Sequence, residues 1–368
     1  MTLIHFLRFG FVQNLPIRQH LSAPNMRQNR GVNIELRKPY VVFIGEETSP
    51  VYTKTGSGIA HWEAKNCVGQ IRLSNDAADL KLPELSLDEA VSAGAATLIV
   101  GIAVVGGAIP DSMRLIIKDA LSRGVDVASG MHERLSEDTE FAAAAEASGA
   151  RIIDVRIPPA GIAVGSGKKR SGKRLLTVGT DCALGKKYTA LAIAKEMNRR
   201  GMDAAFRATG QTGILISGGG IPIDAVVSDF VSGAAEQLSP SAAENHWDVI
   251  EGQGALLHPG FAAVSTGLLL GSQPDALVVC SDATRKEVFG WPDFPLPSID
   301  DIIDLSIRIG SVVNPAVRVV GVSVNTSELS DYQRDEYLNS LEKKYGVPCV
   351  DPIATGVGPV VDSLEIKK

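Results

Sequence analysis

The segment GTDCALGKKYT, Gly179 to Thr189, carries the residue types that hold a polyanion. It follows the apolar run Leu175-Leu176-Thr177-Val178 and opens an amphipathic stretch that ends at Gly201. A strand, a glycine-bounded loop ending in Gly-Lys and a helix make the layout of a phosphate-binding P-loop. In such a loop backbone N–H groups and the positive end of a helix dipole converge on the anion, and Lys186 adds a point charge. Gly179, Thr180, Asp181, Gly185, Lys186 and Lys187 are the cofactor-binding residues this reading expects.

Two positions depart from the common pattern Gly-x4-Gly-Lys-Ser/Thr. Thr180 occupies the first glycine position, with Gly179 just before it, and Lys187 stands where a hydroxyl normally binds Mg²⁺. A second ammonium adds positive charge and removes a metal ligand. That exchange favours a pyrophosphate neutralised by protein charge, as in coenzyme A, over a magnesium nucleotide. Thr189 lies two residues further along the helix and so points about 200° away. A Mg·ATP-dependent kinase or ligase is the alternative, and a nucleotide-binding switch without turnover is a third reading.

Glycine-rich, polar segments follow each apolar strand of the second half, and in parallel α/β sheets ligands sit beyond those strand ends. The P-loop follows Leu175–Val178. Ala208 to Gly213, with Gln211, follows Asp203–Arg207. Glu251-Gly252-Gln253-Gly254 and then His258-Pro259-Gly260 follow Asp248–Ile250. Asp282, Arg285 and Lys286 follow Ala276–Cys280, and Asn325-Thr326 follows Val317–Val324. Glu251 ends a buried strand, a place from which a carboxylate holds Mg²⁺ or accepts a proton. Glu251 and His258 are the expected catalytic residues. Arg207, Gln211, Arg285 and Lys286 are the expected substrate-binding residues, since cationic and amide side chains pair with carboxylates or phosphates.

Strands and helices alternate throughout, which gives an α/β protein of two parallel-sheet domains. In the first, residues 38–160, the strands are Tyr40–Ile44, Thr97–Val105, Val125–Ala128 and Arg151–Val155. Its helices are Asp111–Arg123 and Glu137–Ser148, and the whole reads as doubly wound. A Gly-, Ser- and Lys-rich linker spans 161–173. The second domain, 174–368, adds a possible sixth strand at Pro348–Val350 and helices at Lys186–Arg200, Asp224–Leu238, Ile299–Ile309 and Asp331–Tyr345. Residues 1–37 read as an extension. Its first 34 residues hold four arginines and no Asp or Glu, which suits an organellar leader or a true start at Met26.

Bulk properties narrow the class. The chain has 368 residues, 45% hydrophobic and 21% charged, with a net charge of −6. No basic run suits a nucleic-acid partner. Ala90 to Pro110 is uncharged but broken by glycines, so it reads as a buried strand and not a membrane span. Cys67, Cys182, Cys280 and Cys349 lack metal-ligand spacing and suit a reducing, cytoplasmic compartment. Cys182, inside the loop, is either a nucleophile or a small residue that shapes the turn. No metal site is expected, the partner is a small molecule, and a homo-oligomer is the expected assembly.

GTDCALGKK, RATGQTG, DFVSGAAE, EGQGALLHPG and the Arg285–Pro297 stretch resemble the DgcN-type D-glutamate N-acetyltransferases, a family long catalogued as of unknown function. Glu46–Lys54, with Lys54-Thr55, and SGMHERLSED from Ser129 to Asp138 are similar to that family's Rossmann-like half. The resemblance covers about residues 38–364. It implies a Rossmann-like domain followed by a P-loop NTPase-like domain, and acetyl transfer from acetyl-CoA to the amine of D-glutamate in D-amino-acid catabolism. That chemistry needs a base, for which Glu251 or His258 is the candidate, cations for two substrate carboxylates, for which Arg285 and Arg207 are the candidates, and a phosphate site, where the P-loop with Lys186 and Lys187 would hold CoA phosphates. The second half also resembles dethiobiotin synthetase, an ATP-dependent ligase that has Thr after the P-loop lysine. Lys187 departs from it at that position.

Overall fold

A computed structural model describes residues 32–103 and 106–365. The expectations for a leader or for a start at Met26 fall outside the described residues. Residues 32–37, read from sequence as part of the extension, pack into the fold. Val32–Asn33 pairs antiparallel with Gly219–Gly220 of the second domain, and Ile34 and Leu36 are buried.

Tyr40–Gly45 is buried at every position, as its unbroken apolar run requires. It lies within a five-stranded parallel sheet ordered Cys67–Arg72, Tyr40–Gly45, Thr97–Val100, Asp126–Ser129, Ile152–Asp154. In chain order this is 2-1-3-4-5, a doubly wound arrangement whose switch point lies between the first and third strands. The third strand stops at Val100 and does not reach Val105. Beyond it the Ala103 N–H donates to the Tyr52 carbonyl at 2.7 Å, which pulls the chain toward the loop that precedes helix Lys54–Trp62. Val104 and Val105 lie outside the described residues. The last helix starts at Thr139 and not Glu137, because Asp138 caps it through the amides of Glu140 and Phe141.

The second sheet has six parallel strands in the order Cys349–Val350, Arg318–Asn325, Ala276–Asp282, Lys173–Gly179, Trp247–Ile250, Ala204–Arg207. In chain order within the domain this is 6-5-4-1-3-2. The first strand is central, and the connections leave it in opposite directions, so the P-loop that follows it occupies a switch point. The expected helix Asp224–Leu238 is broken. Val226 and Val227 are extended and separate two 3-10 turns, leaving Val231–Leu238 as the α-helix. Helices Lys54–Trp62, Gln211–Ser217, Ala262–Ser272 and Gly358–Glu365 and strand Cys67–Arg72 were not anticipated. The linker is pinned to the second domain: Glu236 accepts the amides of Ser166 and Gly167, and Arg170 donates to the Gly271 carbonyl at 2.8 Å.

The two domains share a packed seam. Helix Lys54–Trp62 lies against helix Gln211–Ser217, and Ala208, Ile214 and Leu215 join the apolar cluster of the first domain. Thr55 and Thr212 exchange a buried hydroxyl hydrogen bond at 3.1 Å. Gln211 donates to the Gly130 carbonyl at 2.7 Å and accepts from Arg156 at 3.2 Å. A Cβ on Gly130 would fall 1.8 Å from the Gln211 side-chain amide and 2.6 Å from the Gln211 Cβ. Gly130→Ala is therefore expected to force the seam apart and lower stability by roughly 1–3 kcal/mol, the usual cost of overpacking. Thermal unfolding of the variant checks this, and an unchanged melting temperature would show that the seam yields without cost.

Candidate active site at the domain seam

Strand Lys173–Gly179 delivers the loop. Its register continues one residue, with the Thr180 N–H donating to the Cys280 carbonyl at 3.0 Å. The chain then reverses through left-handed Ala183 (φ +51°) and Gly185 (φ +101°). Helix Lys186–Arg199 begins with no side-chain cap and no acidic residue in its first turn. Among the described residues, the amides of Gly185, Lys186 and Lys187 meet no protein acceptor. Uncapped donors at the positive end of a 14-residue helix are what an anion needs.

Asp181 organises this loop from inside. Its buried carboxylate accepts the Cys182 amide at 2.6 Å, the Phe289 amide at 2.7 Å and Arg285 at 2.9 Å. Arg285 also reaches the Cys182 carbonyl at 2.7 Å and the Ala183 carbonyl at 3.3 Å. The guanidinium thus clamps the loop's outer wall. Lys186 folds inward, donating to the Asp181 carbonyl at 2.6 Å.

Glu251 stands where the Trp247–Ile250 strand ends and is buried. Its Oε2 accepts the amides of Thr209 and Gly210 at 3.0 and 3.1 Å, just ahead of helix Gln211–Ser217. Burial pushes its carboxyl up to about 7, against the opposing pull of those amides and of Lys187. Lys187 leaves the loop toward the first domain. A Cβ on Gly58 would fall 2.6 Å from its Nζ and from the Thr212 methyl. Burial lowers this ammonium to about 8, and Glu251 opposes that shift.

His258 lies beside the loop. It is buried between Phe261 and Trp291, with ring centroids 4.6 and 4.7 Å away. Its Nδ1 accepts the Gly260 amide at 3.0 Å, so that nitrogen has no lone pair to offer. Its Nε2 faces Asp181 at 3.6 Å, too far for a hydrogen bond. Asp181, Cys182 and His258 bring one potential metal-ligand atom each within 4.8 Å of one another. Arg285 on the same carboxylate opposes a cation there. Burial raises the Cys182 thiol, the reverse of what a nucleophilic thiolate requires.

The remaining sequence candidates separate. Gln211 is in the seam and is committed to Gly130 and Arg156. Arg207 pairs with buried Asp248 at 2.6 Å, in a network with His246, Ser239 and Arg174. Lys286 is exposed, beyond the clamp. The first domain adds residues that sequence reading did not single out for the site. Lys54 opens its helix beside the loop, and burial lowers its ammonium, with Arg156 and Lys186 adding to that shift and Cys182 and Asp224 opposing it. Arg156 pairs with Asp224 and touches His132 at 3.0 Å. SGMHERLSED marks part of this set, but only the packed seam brings it to the P-loop.

The DUF1611_C P-loop domain, a domain of unknown function, matches residues 162–361, and the DUF1611_N Rossmann-like domain matches 69–158. The chain belongs to the DUF1611 family. A D-glutamate N-acetyltransferase from a Pseudoalteromonas species is 45% identical over 331 residues, covering 90% of this chain and all of that one. A D-glutamate N-acetyltransferase from Tritonibacter scottomollicae is 44% identical over 329 residues, covering 89% of this chain and 99% of that one. The crystal structure of a DUF1611 family protein from Anabaena variabilis superposes with a TM-score of 0.81 at 33% identity, covering 89% of this chain and 99% of that one. No helix among the described residues is long and apolar enough to cross a membrane.

Breaking the loop clamp gives a test of this geometry. Arg285→Ala leaves the Asp181 carboxylate buried and unpaired, and it is expected to destabilise the fold by about 3 kcal/mol. The variant should also bind polyphosphate ligands more weakly. Urea unfolding and a CoA titration check both, and unchanged values would mean that the loop holds its shape without the clamp.

Proposed function

We propose that this protein transfers the acetyl group of acetyl-CoA to the amine of D-glutamate. The observation that carries the reading is Glu251: a buried carboxylate, raised to about 7, beside a P-loop whose amides are uncapped. The names of the 44–45% identical relatives support the acceptor. The loop amides and Lys186 fit a diphosphate such as that of CoA. The first domain closes the other side of the seam.

An α-amine with a pKa of roughly 9–10 is almost wholly protonated at pH 7, and freeing its lone pair costs about 3–4 kcal/mol. Glu251 takes that proton, and a carboxylate near 7 is better matched to the task than an ordinary one. The amine nitrogen then attacks the thioester carbon, forming the C–N bond. The carbonyl oxygen gains negative charge, which backbone N–H groups of the glycine-rich loops receive. Collapse of this intermediate re-forms the C=O bond and breaks the C–S bond; the nitrogen gives up its second proton, the departing thiolate takes one up, and the products are the amide and CoA thiol. With Arg285 committed to the loop and Arg207 to Asp248, Lys54 is the cation that meets an acceptor carboxylate.

Glu251→Gln keeps an oxygen for the Thr209 and Gly210 amides and removes the base. It is expected to lower kcat by at least about 100-fold, the lower end for general-base catalysis. The wild-type kcat/KM should rise with pH through about 7, as the carboxyl loses its proton, and the variant should lose that limb. A variant with near-normal kcat and the same pH profile would remove Glu251 from the chemistry. Lys186→Ala, with folding intact, should weaken acetyl-CoA binding at least tenfold by calorimetry; unaltered affinity would place the diphosphate elsewhere.

A further inference from the structure

P-loop enzymes hold Mg²⁺ between the hydroxyl that follows the loop lysine and an acidic residue at a neighbouring strand end. This chain keeps the acidic residue as Glu251 and replaces the hydroxyl with Lys187. The side chains around that position do not fit a magnesium ion. Glu251 Oε2 already accepts two amides. Thr189, the next aliphatic hydroxyl along the helix, is buried and bonded to the Gly185 carbonyl at 3.2 Å and to Ser323 Oγ at 2.8 Å. Mg²⁺ demands a near-octahedral oxygen shell, and an ammonium at the ligand position repels it.

The Lys187 ammonium is held in place. It lies so close to Gly58 that a Cβ there would fall 2.6 Å from its Nζ, and it sits over the Tyr188 ring at 4.8 Å from the centroid. The charged groups that act on it are Glu251, which favours its protonated form, and Lys54, which opposes it. Gly58 belongs to the first domain and Lys187 to the second, so the docked pair of domains sets the surroundings of this charge.

We propose that Lys187 is a built-in cation standing in for the divalent metal of a P-loop, and that it excludes magnesium nucleotides from the site. Lys187 then supplies one positive charge at a fixed position, without a coordination shell, beside the loop lysine Lys186 that P-loops keep alongside their metal. The seam becomes part of ligand choice, because the first domain positions the second charge. This inference rests on the diphosphate half of the proposed function and is independent of the acyl acceptor.

Manganese is the probe, because bound Mn²⁺ is read directly by electron paramagnetic resonance, apart from any turnover. Wild-type protein with ADP and Mn²⁺ is expected to show no protein-bound manganese. CoA binding should change less than twofold on adding EDTA. K187T restores the hydroxyl, and it should bind Mn²⁺ in an ADP-dependent manner at least tenfold more tightly than wild type. Nucleotide-dependent manganese on the wild-type protein would overturn the proposal. So would a K187T protein that melts cooperatively yet gains no manganese. Should K187T fail to fold, the wild-type measurements decide by themselves.

Discussion

The structure depends on how closely helix Gln211–Ser217 approaches the first domain. Gly58 and Gly130 lack the side chains that would hold it off. Through that contact Gln211 reaches the Gly130 carbonyl, Thr212 reaches Thr55, and the Thr209–Gly210 amides immediately ahead of the helix hold Glu251. One short element therefore joins the two sheets and fixes the position of the buried carboxylate. Apolar surface buried along the seam drives the association, and the polar contacts fix its register. A site assembled this way has its catalytic candidate on one domain and part of its positive charge on the other.

Electrostatics explains the division of labour among the basic residues. Arg285 is bound to buried Asp181 and stabilises the loop's curvature. Arg207 is bound to Asp248 away from the loop. Guanidinium groups stay charged and hold several acceptors at once, which suits them to such fixed structural roles. The lysines are different. Lys54, Lys186 and Lys187 gather about the loop, and burial lowers the ammonium groups of Lys54 and Lys187, with cationic neighbours adding to the shift. Like charges brought together are unfavourable until an anion arrives, so the cleft is set up for a polyanionic ligand.

Much of this architecture is written in local pattern. Unbroken apolar runs mark Tyr40–Gly45 and Lys173–Gly179 as central strands, and Gly-Lys before an amphipathic stretch marks the loop. Other elements give no such signal. Cys67–Arg72 mixes polar and apolar residues and is only half buried at both ends. Lys54–Trp62 carries two glycines, which weaken its helical pattern; at Gly58 the glycine serves the seam rather than the helix. Ala262–Ser272 is apolar or small all round, so it shows no helical period. At the site, Glu251 is legible because it ends a buried strand. The commitments of Gln211, Arg207 and Arg285 are not, since each depends on a partner far away in sequence. Lys54 joins the loop only through tertiary packing.

The most direct measurement is amide hydrogen exchange at Gly185, Lys186 and Lys187, read by mass spectrometry or NMR with and without saturating CoA. If these amides grip the diphosphate, their exchange slows by at least tenfold when CoA binds, while the far end of the same helix is unchanged. Tight CoA binding with no protection at these three positions would contradict the account at its centre.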